Sequence, residues 1–352
     1  MEPRIEFAAS ADGTRIAWTS VGAGPAVVLM PGVPLSNLEA EWRIPVLRRA
    51  YEGLAQRVRL IQYDGRGTGR SERVVHDVSL EAHLRDLDAV LDAAGARDVV
   101  LLGFYHSVIT AIAWAARHPE RTRGLALFGG AARGWDPMRE AGTQALLTLI
   151  ERDWDTFVES AAHAWLGWPD DAEGRLATEA FRTSTSPAVA RATLQATAEM
   201  DVTAEAAVVR APAVVLHRRD GQVISLEVSR ALADSLPNGR LEILPGSSAG
   251  LFFEKTNDVV DRLTAFALDP EAPASKSVGG RSSSAGAAAS GLSGREREVL
   301  GLLAAGESNG QIAASLGLSI NTIERHVSNL YRKIDARGRA DATAWAIRHG
   351  MA

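Results

Sequence analysis

The 352-residue chain has no cysteine. Thiolate nucleophiles, disulfides and thiolate metal sites are therefore excluded, and attack chemistry falls to serine or tyrosine. A serine hydroxyl is a poor nucleophile without a histidine beside it. Two segments set serine among glycines, Gly103-Phe-Tyr-His-Ser107 and Gly246-Ser-Ser-Ala-Gly250. The histidines of the first 268 residues are His76, His83, His106, His118, His163 and His217; the next is His326. Tyr105 is itself a candidate, since a phenol can attack or donate a proton. It would need a neighbour to lower its pKa from about 10, and the sequence offers no obvious one. No metal or cofactor is expected.

A different chemistry is written near the end of the chain. Ile323, Val327, Leu330 and Ile334 are spaced as one buried stripe of a helix. Asn321, Arg325, Ser328 and Arg332 stand opposite at the same spacing. A helix apolar on one side and rich in hydrogen-bonding groups on the other suits the DNA major groove.

The surrounding pattern predicts how that helix is held. Ser293 with Glu296, and Ser308 with Gln311, read as capping boxes. Gly306 ends the first helix, and the second runs to about Leu316. Gly317-Leu318 turn, Ser319 caps the third helix, and a fourth is expected from Ala340 to His349, carrying Ala344, Trp345 and Ile347. Before them, seventeen of the 22 residues 269–290 are Pro, Gly, Ala or Ser and none is aromatic. Such a stretch cannot bury enough apolar surface to order itself, so a flexible tether is expected; an ordinary long loop is the alternative.

In the first 268 residues, strand-like apolar runs recur at Ala26–Met30, Arg59–Tyr63, Val99–Gly103, Gly124–Phe128, Ala213–His217 and Arg240–Leu244. Helical stretches such as Leu80–Ala94 and Val108–Arg117 lie between them, which predicts an α/β unit with an open, mostly parallel sheet. About 133–211 has no strand signal and reads as a helical cap holding Trp154, Trp165 and Trp168. The net charge of −5 hides an asymmetry, because residues 291–352 carry eight Lys and Arg against six Asp and Glu. No window approaches the length of a membrane span, and the charged N-terminus lacks the apolar core of a secretory signal. A cytoplasmic protein is expected.

The segment LSGREREVLGLLAAGESNGQIAASLGLSINTIERHVSNLYRKI resembles the LuxR-type, or NarL-type, helix-turn-helix DNA-binding domain across nearly all of residues 291–352. The resemblance makes the third helix the recognition helix. It implies base-edge contacts at Glu324, Arg325 and Ser328, and phosphate contacts at Thr322, Asn329, Arg332 and Lys333. Many relatives carry lysine where Glu324 stands.

Three segments resemble the α/β-hydrolase fold over almost all of residues 1–268. Met30-Pro-Gly-Val33 is similar to its oxyanion loop, Tyr63 to Ser71 to its Asp-x-Arg-Gly-x-Gly-x-Ser segment, and Val99 to Arg121 to the strand, elbow and helix that carry the nucleophile. The resemblance puts Tyr105 at the nucleophile position, Asp220 at the acid and Ala249 at the histidine. Gly246 to Gly250 then falls in the histidine loop, and the remaining histidines of the unit precede the acid, contrary to the order of this fold. Ser107 lies past the elbow and is expected to point away. What remains is a pocket floored by Val33, Pro34, Tyr105 and His106, roofed by cap aromatics such as Trp154 and Trp165, with Asp220 and Ala249 at one side.

The leading expectation is a transcriptional regulator whose disarmed hydrolase-like unit senses a small, largely apolar molecule. The alternatives are a competent esterase-type hydrolase that also binds DNA, and a constitutive DNA binder with an oligomerisation scaffold. A homodimer on a palindromic operator is expected in each case, since one recognition helix covers one half-site.

Overall fold

Alternate residues of the central strands face opposite layers, and this builds the larger unit. Val28, Val99 and Leu101 point into one apolar cluster, while Val27, Leu29, Val100 and Leu102 point into the other. A strand buried on both faces reads as a continuous apolar run, which is why these strands were visible. The computed structural model describes residues 3–32, 34–134, 149–150, 152–166, 172–221, 223–272, 292, 294–304, 307–334, 336, 339 and 342, without the side chains of 163–166, 172–173, 294, 304, 321 and 332. The chain divides into two units, Met1–Ala274 and Ser275–Ala352.

In the first unit the strands are β1 (Glu6–Ala9), β2 (Arg15–Val21), β3 (Ala26–Leu29), β4 (Arg59–Tyr63), β5 (Val99–Phe104), β6 (Thr122–Phe128), β7 (Ala213–Arg218) and β8 (Gly239–Leu244). They form one sheet in the order β1-β2-β4-β3-β5-β6-β7-β8. From β4 to β8 the pairing is parallel, and β1 and β2 add an antiparallel edge. The sequence reading missed that edge. In β2 Ile16, Ala17, Trp18 and Thr19 are all buried, so no alternation marks it, and the polar Arg15, Thr19 and Ser20 break any continuous apolar run; β1 is four residues long with Phe7 half exposed under Arg15.

Helices α1 (Leu38–Glu41), α2 (Pro45–Ala55), α3 (Leu80–Ala93) and α4 (Ser107–Arg117) follow the strands in turn, α2 on one face of the sheet and α3 and α4 on the other. Between β6 and β7 lie α5 (Trp154–Leu166), α6 (Ala172–Ser184), α7 (Pro187–Glu199) and α8 (Thr203–Ala206). Beyond β7 come α9 (Leu226–Ser235) and α10 (Thr256–Leu268). Strand order reverses around β3 and β5, and in open α/β sheets the carboxyl ends of the strands at such a point form a crevice.

The Tyr63 to Ser71 segment turns out to be structural. The Asp64 carboxylate accepts from the N–H groups of Leu38 and Arg70, both at 2.8 Å. The fully buried Arg66 guanidinium pairs with both oxygens of Asp86 and with Asp12. A Cβ on Gly69 would fall 2.1 Å from an Asp64 oxygen, so only glycine lets the chain pass.

The second unit contains α11 (Gly294–Ala304), α12 (Asn309–Leu316) and α13 (Ile320–Ile334). Ser308 and Gln311 form the expected capping box. Gly317 closes α12 in the left-handed conformation at φ 64°, with Leu318 N–H donating to the Ala313 carbonyl. Ile323, Val327 and Leu330 are buried beside Val299, Leu303 and Ile312. Ser293, Gly306 and most of the expected fourth helix lie outside the described residues, as does the tether from residue 273 on; Ala342 is buried.

Candidate ligand cavity and nucleic-acid interface

Strand β5 passes into α4 through Tyr105 and His106, a turn closely packed on its inner side. A Cβ on Gly103 would lie 3.3 Å from the Ser107 carbonyl oxygen and from Val108 Cα. Tyr105 has φ 52°, a left-handed conformation that costs energy for an aromatic residue and persists only when its surroundings impose it. Its N–H donates to the Phe128 carbonyl at 2.9 Å, and its ring stands edge-on to Phe128 at 6.0 Å. The buried Ser107 hydroxyl turns back onto the N–H and carbonyl of Phe104, each at 3.0 Å. It stays within the turn.

The loop after β8 is built on two charges. The buried Arg218 guanidinium donates to the carbonyls of Pro245, Leu251 and Glu254. The Glu254 carboxylate accepts from Ser247 N–H at 2.9 Å and Ser248 N–H at 3.0 Å. Burial alone would raise the Glu254 pKa; those two donors, with Arg218 nearby, bring it below its ordinary value. Gly246 sits at φ 97°, where a Cβ would overlap the Glu254 carboxylate. The Ser248 hydroxyl bonds both the N–H and the carbonyl of Gly250. The glycine–serine segment is thus a carboxylate-bound turn.

That turn presents the Ala249 carbonyl, which accepts from the Tyr105 hydroxyl at 2.6 Å. Burial pushes the Tyr105 phenol well above its ordinary pKa, away from nucleophilic ionisation. His106 is pushed the other way by burial, down to about 4, and is neutral near pH 7.

Pro34, Tyr105, His106 and Ala249 line one cavity of about 150 Å³. Glu41, Ile44, Leu47 and Tyr51 make its wall on the side of α1 and α2, while Ala180, Phe181 and Leu194 roof it from α6 and α7. The roof differs from the tryptophan roof expected. Trp154 stacks on Phe157 at 5.3 Å and donates from Nε1 to the Arg182 carbonyl, packing the helical layer without lining the cavity. Asp220 is exposed and does not line the cavity either; its N–H donates to the Gly246 carbonyl at 3.1 Å. Val33 and the Trp165 and Trp168 side chains lie outside the described residues.

Glu41 and Tyr51 escaped the sequence reading. The Tyr51 hydroxyl donates to Glu41 Oε2 at 2.9 Å, and burial raises the pKa of both groups. The available signal was a glutamate at the end of a one-turn helix, between Leu38 and Trp42, both buried. One turn is too short to show a helical period.

On α13, Glu324, Arg325 and Ser328 are exposed on the side away from the Ile323–Val327–Leu330 stripe. Thr322 is partly buried, and its hydroxyl meets Ser319 Oγ at 2.8 Å at the start of the helix. Asn329 is partly buried. Lys333 Nζ lies 2.8 Å from Glu296 Oε2, whose residue is only 5% exposed, so this lysine ties α13 to α11. Ser293, the partner of Glu296 in the expected capping box, lies outside the described residues. The side chains of Asn321 and Arg332 lie outside the described residues.

The family described as "alpha/beta hydrolase fold" matches residues 25–256, and that described as "Bacterial regulatory proteins, luxR family" matches residues 290–346. A non-heme haloperoxidase of Rhodococcus erythropolis is 25% identical over 262 residues, 70% of this chain and 93% of its own. The CsgBAC operon transcriptional regulatory protein of Escherichia coli (strain K12) is 46% identical over 55 residues, 16% of this chain and 26% of its own. An esterase from Exiguobacterium antarcticum superposes with a TM-score of 0.66 at 18% identity, covering 74% of this chain and 98% of its own. That likeness speaks for the fold alone. No helix among the described residues is long and apolar enough to cross a membrane.

Proposed function

Because the chain belongs to the α/β-hydrolase-fold family and carries a LuxR-family DNA-binding domain, we propose that it is a regulator in which the hydrolase-like unit keeps a cavity for a small, largely apolar ligand and has lost the hydrolytic chemistry. The observation that carries this reading is the bond from the Tyr105 hydroxyl to the Ala249 carbonyl. The two positions that resemble the nucleophile and histidine sites hold a phenol raised by burial and a residue with no titratable group, joined across the cavity wall.

In this reading a receptor spans 1–268 with its cap at about 133–211, a tether 269–290 and a DNA reader 291–352. Arg325 and Ser328, with Glu324 beside them, read base edges from the exposed side of α13. Thr322, Asn329, Arg332 and Lys333, near Asn321, supply phosphate contacts, with Lys333 shared between DNA and Glu296. Two copies meet a palindromic operator. Pro34, Tyr105, His106 and Ala249 touch the ligand. A ligand shifts the regulator only by its difference in affinity for the two states, and the roof of Phe181 and Leu194 is the part whose position it would sense.

The test pairs two measurements on the full chain. Duplex DNA selected by the purified protein is titrated with and without benzene-sized apolar compounds, and hydrolysis of p-nitrophenyl acetate is followed alongside. A compound that alters both melting temperature and DNA affinity, without turnover, supports the reading. Silence from every compound removes the sensor, and turnover lost in Y105F or S107A makes the protein a working hydrolase.

A further inference from the structure

The cavity wall opposite the elbow carries a carboxyl group that the proposed sensor function leaves unused. Glu41 sits at the end of α1, partly buried and facing the cavity. Its Oε2 accepts from the Tyr51 hydroxyl at 2.9 Å, and its Oε1 accepts only a long 3.3 Å bond from Asn37 N–H. No lysine or arginine is among the described residues that line the cavity. The nearby guanidinium groups of Arg43 and Arg70 are both engaged by Glu39, on the exposed side of the same helix.

A second carboxyl adds to the imbalance. Asp64 is fully buried close behind, bonded to the N–H of Leu38 on that helix. Burial pushes its pKa up to about 7 and the charge of Glu41 adds to the rise, against the Arg70 and Leu38 N–H donors and the charge of Arg73, which lower it. Glu41 is itself raised by burial. Neither carboxyl forms an ion pair among the described residues, and two acids in an apolar setting oppose each other's ionisation. A cation entering the cavity beside Glu41 would offset its charge.

The rest of the cavity suits the same guest. The rings of Tyr51, Phe104, Tyr105, Phe181, Phe252 and Phe253 line it, and aromatic faces attract desolvated cations. His106, neutral near pH 7, adds no repelling charge. A space of about 150 Å³ matches an apolar body near the size of benzene.

We propose that the cavity binds a small protonated amine with an apolar body, its ammonium group held by the Glu41 carboxylate beside the Tyr51 hydroxyl. This rests on the receptor reading and names the chemical class of its ligand. Binding is an association only, and no covalent bond forms or breaks.

The test uses calorimetry and thermal shift on the full chain at pH 7.5 with four probes of similar size: benzylamine, benzyl alcohol, toluene and benzoate. Benzylamine is expected to bind about tenfold or more tightly than toluene, as charge-assisted hydrogen bonding predicts, with benzoate weakest. E41Q keeps the shape and an acceptor for Tyr51 while removing the charge; its ratio of benzylamine to toluene affinity should fall about tenfold. Equal binding of benzylamine, toluene and benzoate to the unaltered chain overturns the amine class and leaves the receptor standing. That comparison holds even if E41Q does not fold. If no probe binds, the receptor reading falls and the amine falls with it.

Discussion

The hydroxyl of Tyr105 donates to the carbonyl oxygen of Ala249 at 2.6 Å, joining the tight turn after β5 to the loop after β8. A chemically inert residue contributes its backbone, and an aromatic one in a left-handed conformation contributes its tip. The contact closes the space between the two loops as a structural bond.

Y105F tests that bond. Removing the hydroxyl takes away one hydrogen bond and withdraws a partner from the partly buried Ala249 carbonyl. The expected cost is about 1 kcal/mol of stability, read from denaturant unfolding. Unchanged stability together with a lost hydrolytic activity would instead mark the phenol as a working group.

The pH dependence of stability should carry a signature of His106. Its folded pKa, lowered to about 4 by burial, lies below the ordinary 6.5, so between these values the unfolded chain binds more protons. Stability from this group is present above about pH 6.5 and is lost as pH falls through about 4. His83 and His217, also lowered by burial, act in the same direction, while Asp64, raised to about 7, acts in the opposite one. H106Q should therefore flatten the melting-temperature profile between pH 7 and 5 without abolishing its slope. A profile parallel to that of the unaltered chain would show that His106 titrates normally.

The Gly246 turn should tolerate no side chain. G246A places a Cβ on the Glu254 carboxylate at a φ of 97°, so both the overlap and the backbone conformation oppose it. A loss of roughly 2 kcal/mol is expected, in line with strained-backbone substitutions. Melting temperatures of G246A and of the milder E254Q would check it, and a G246A chain as stable as the parent would contradict the carboxylate-bound turn.

On the DNA reader the basic residues should separate by role. R325A should cost about 1–3 kcal/mol in specific affinity, as for a base contact, and R332A should flatten the salt dependence of binding by about one unit of slope. K333A should lower the melting temperature of the unit as well, because Lys333 pairs with the buried Glu296. Adding E296Q to K333A should recover part of that loss, a coupling readable from a double-mutant cycle. Simple additivity of the two changes would remove Lys333 from the packing.

How much of this was legible depended on how far each relationship reaches along the chain. Buried strands such as Val99–Phe104 announce themselves through runs of apolar residues, and α13 through the spacing of Ile323, Val327 and Leu330. The capping box of Ser308 and Gln311 spans four residues and was read directly. The antiparallel edge was not, since Arg15, Thr19 and Ser20 interrupt the apolar run of β2 and β1 is short.

By itself the sequence determined the two kinds of unit, the absence of a thiol, and the residue types at the elbow and in the loop after β8. Tertiary structure alone decided what those residues touch. Ser107 and Ser248 bond backbone within their turns, Asp220 stands outside the cavity, Lys333 meets Glu296, and Glu41 faces an apolar space with Tyr51 at its side. The physical reason is range. Local periodicity and capping are set by neighbours within about one or two helical turns, whereas burial, pKa and cavity walls are set by groups brought together from distant parts of the chain, as Tyr105 and Ala249 are.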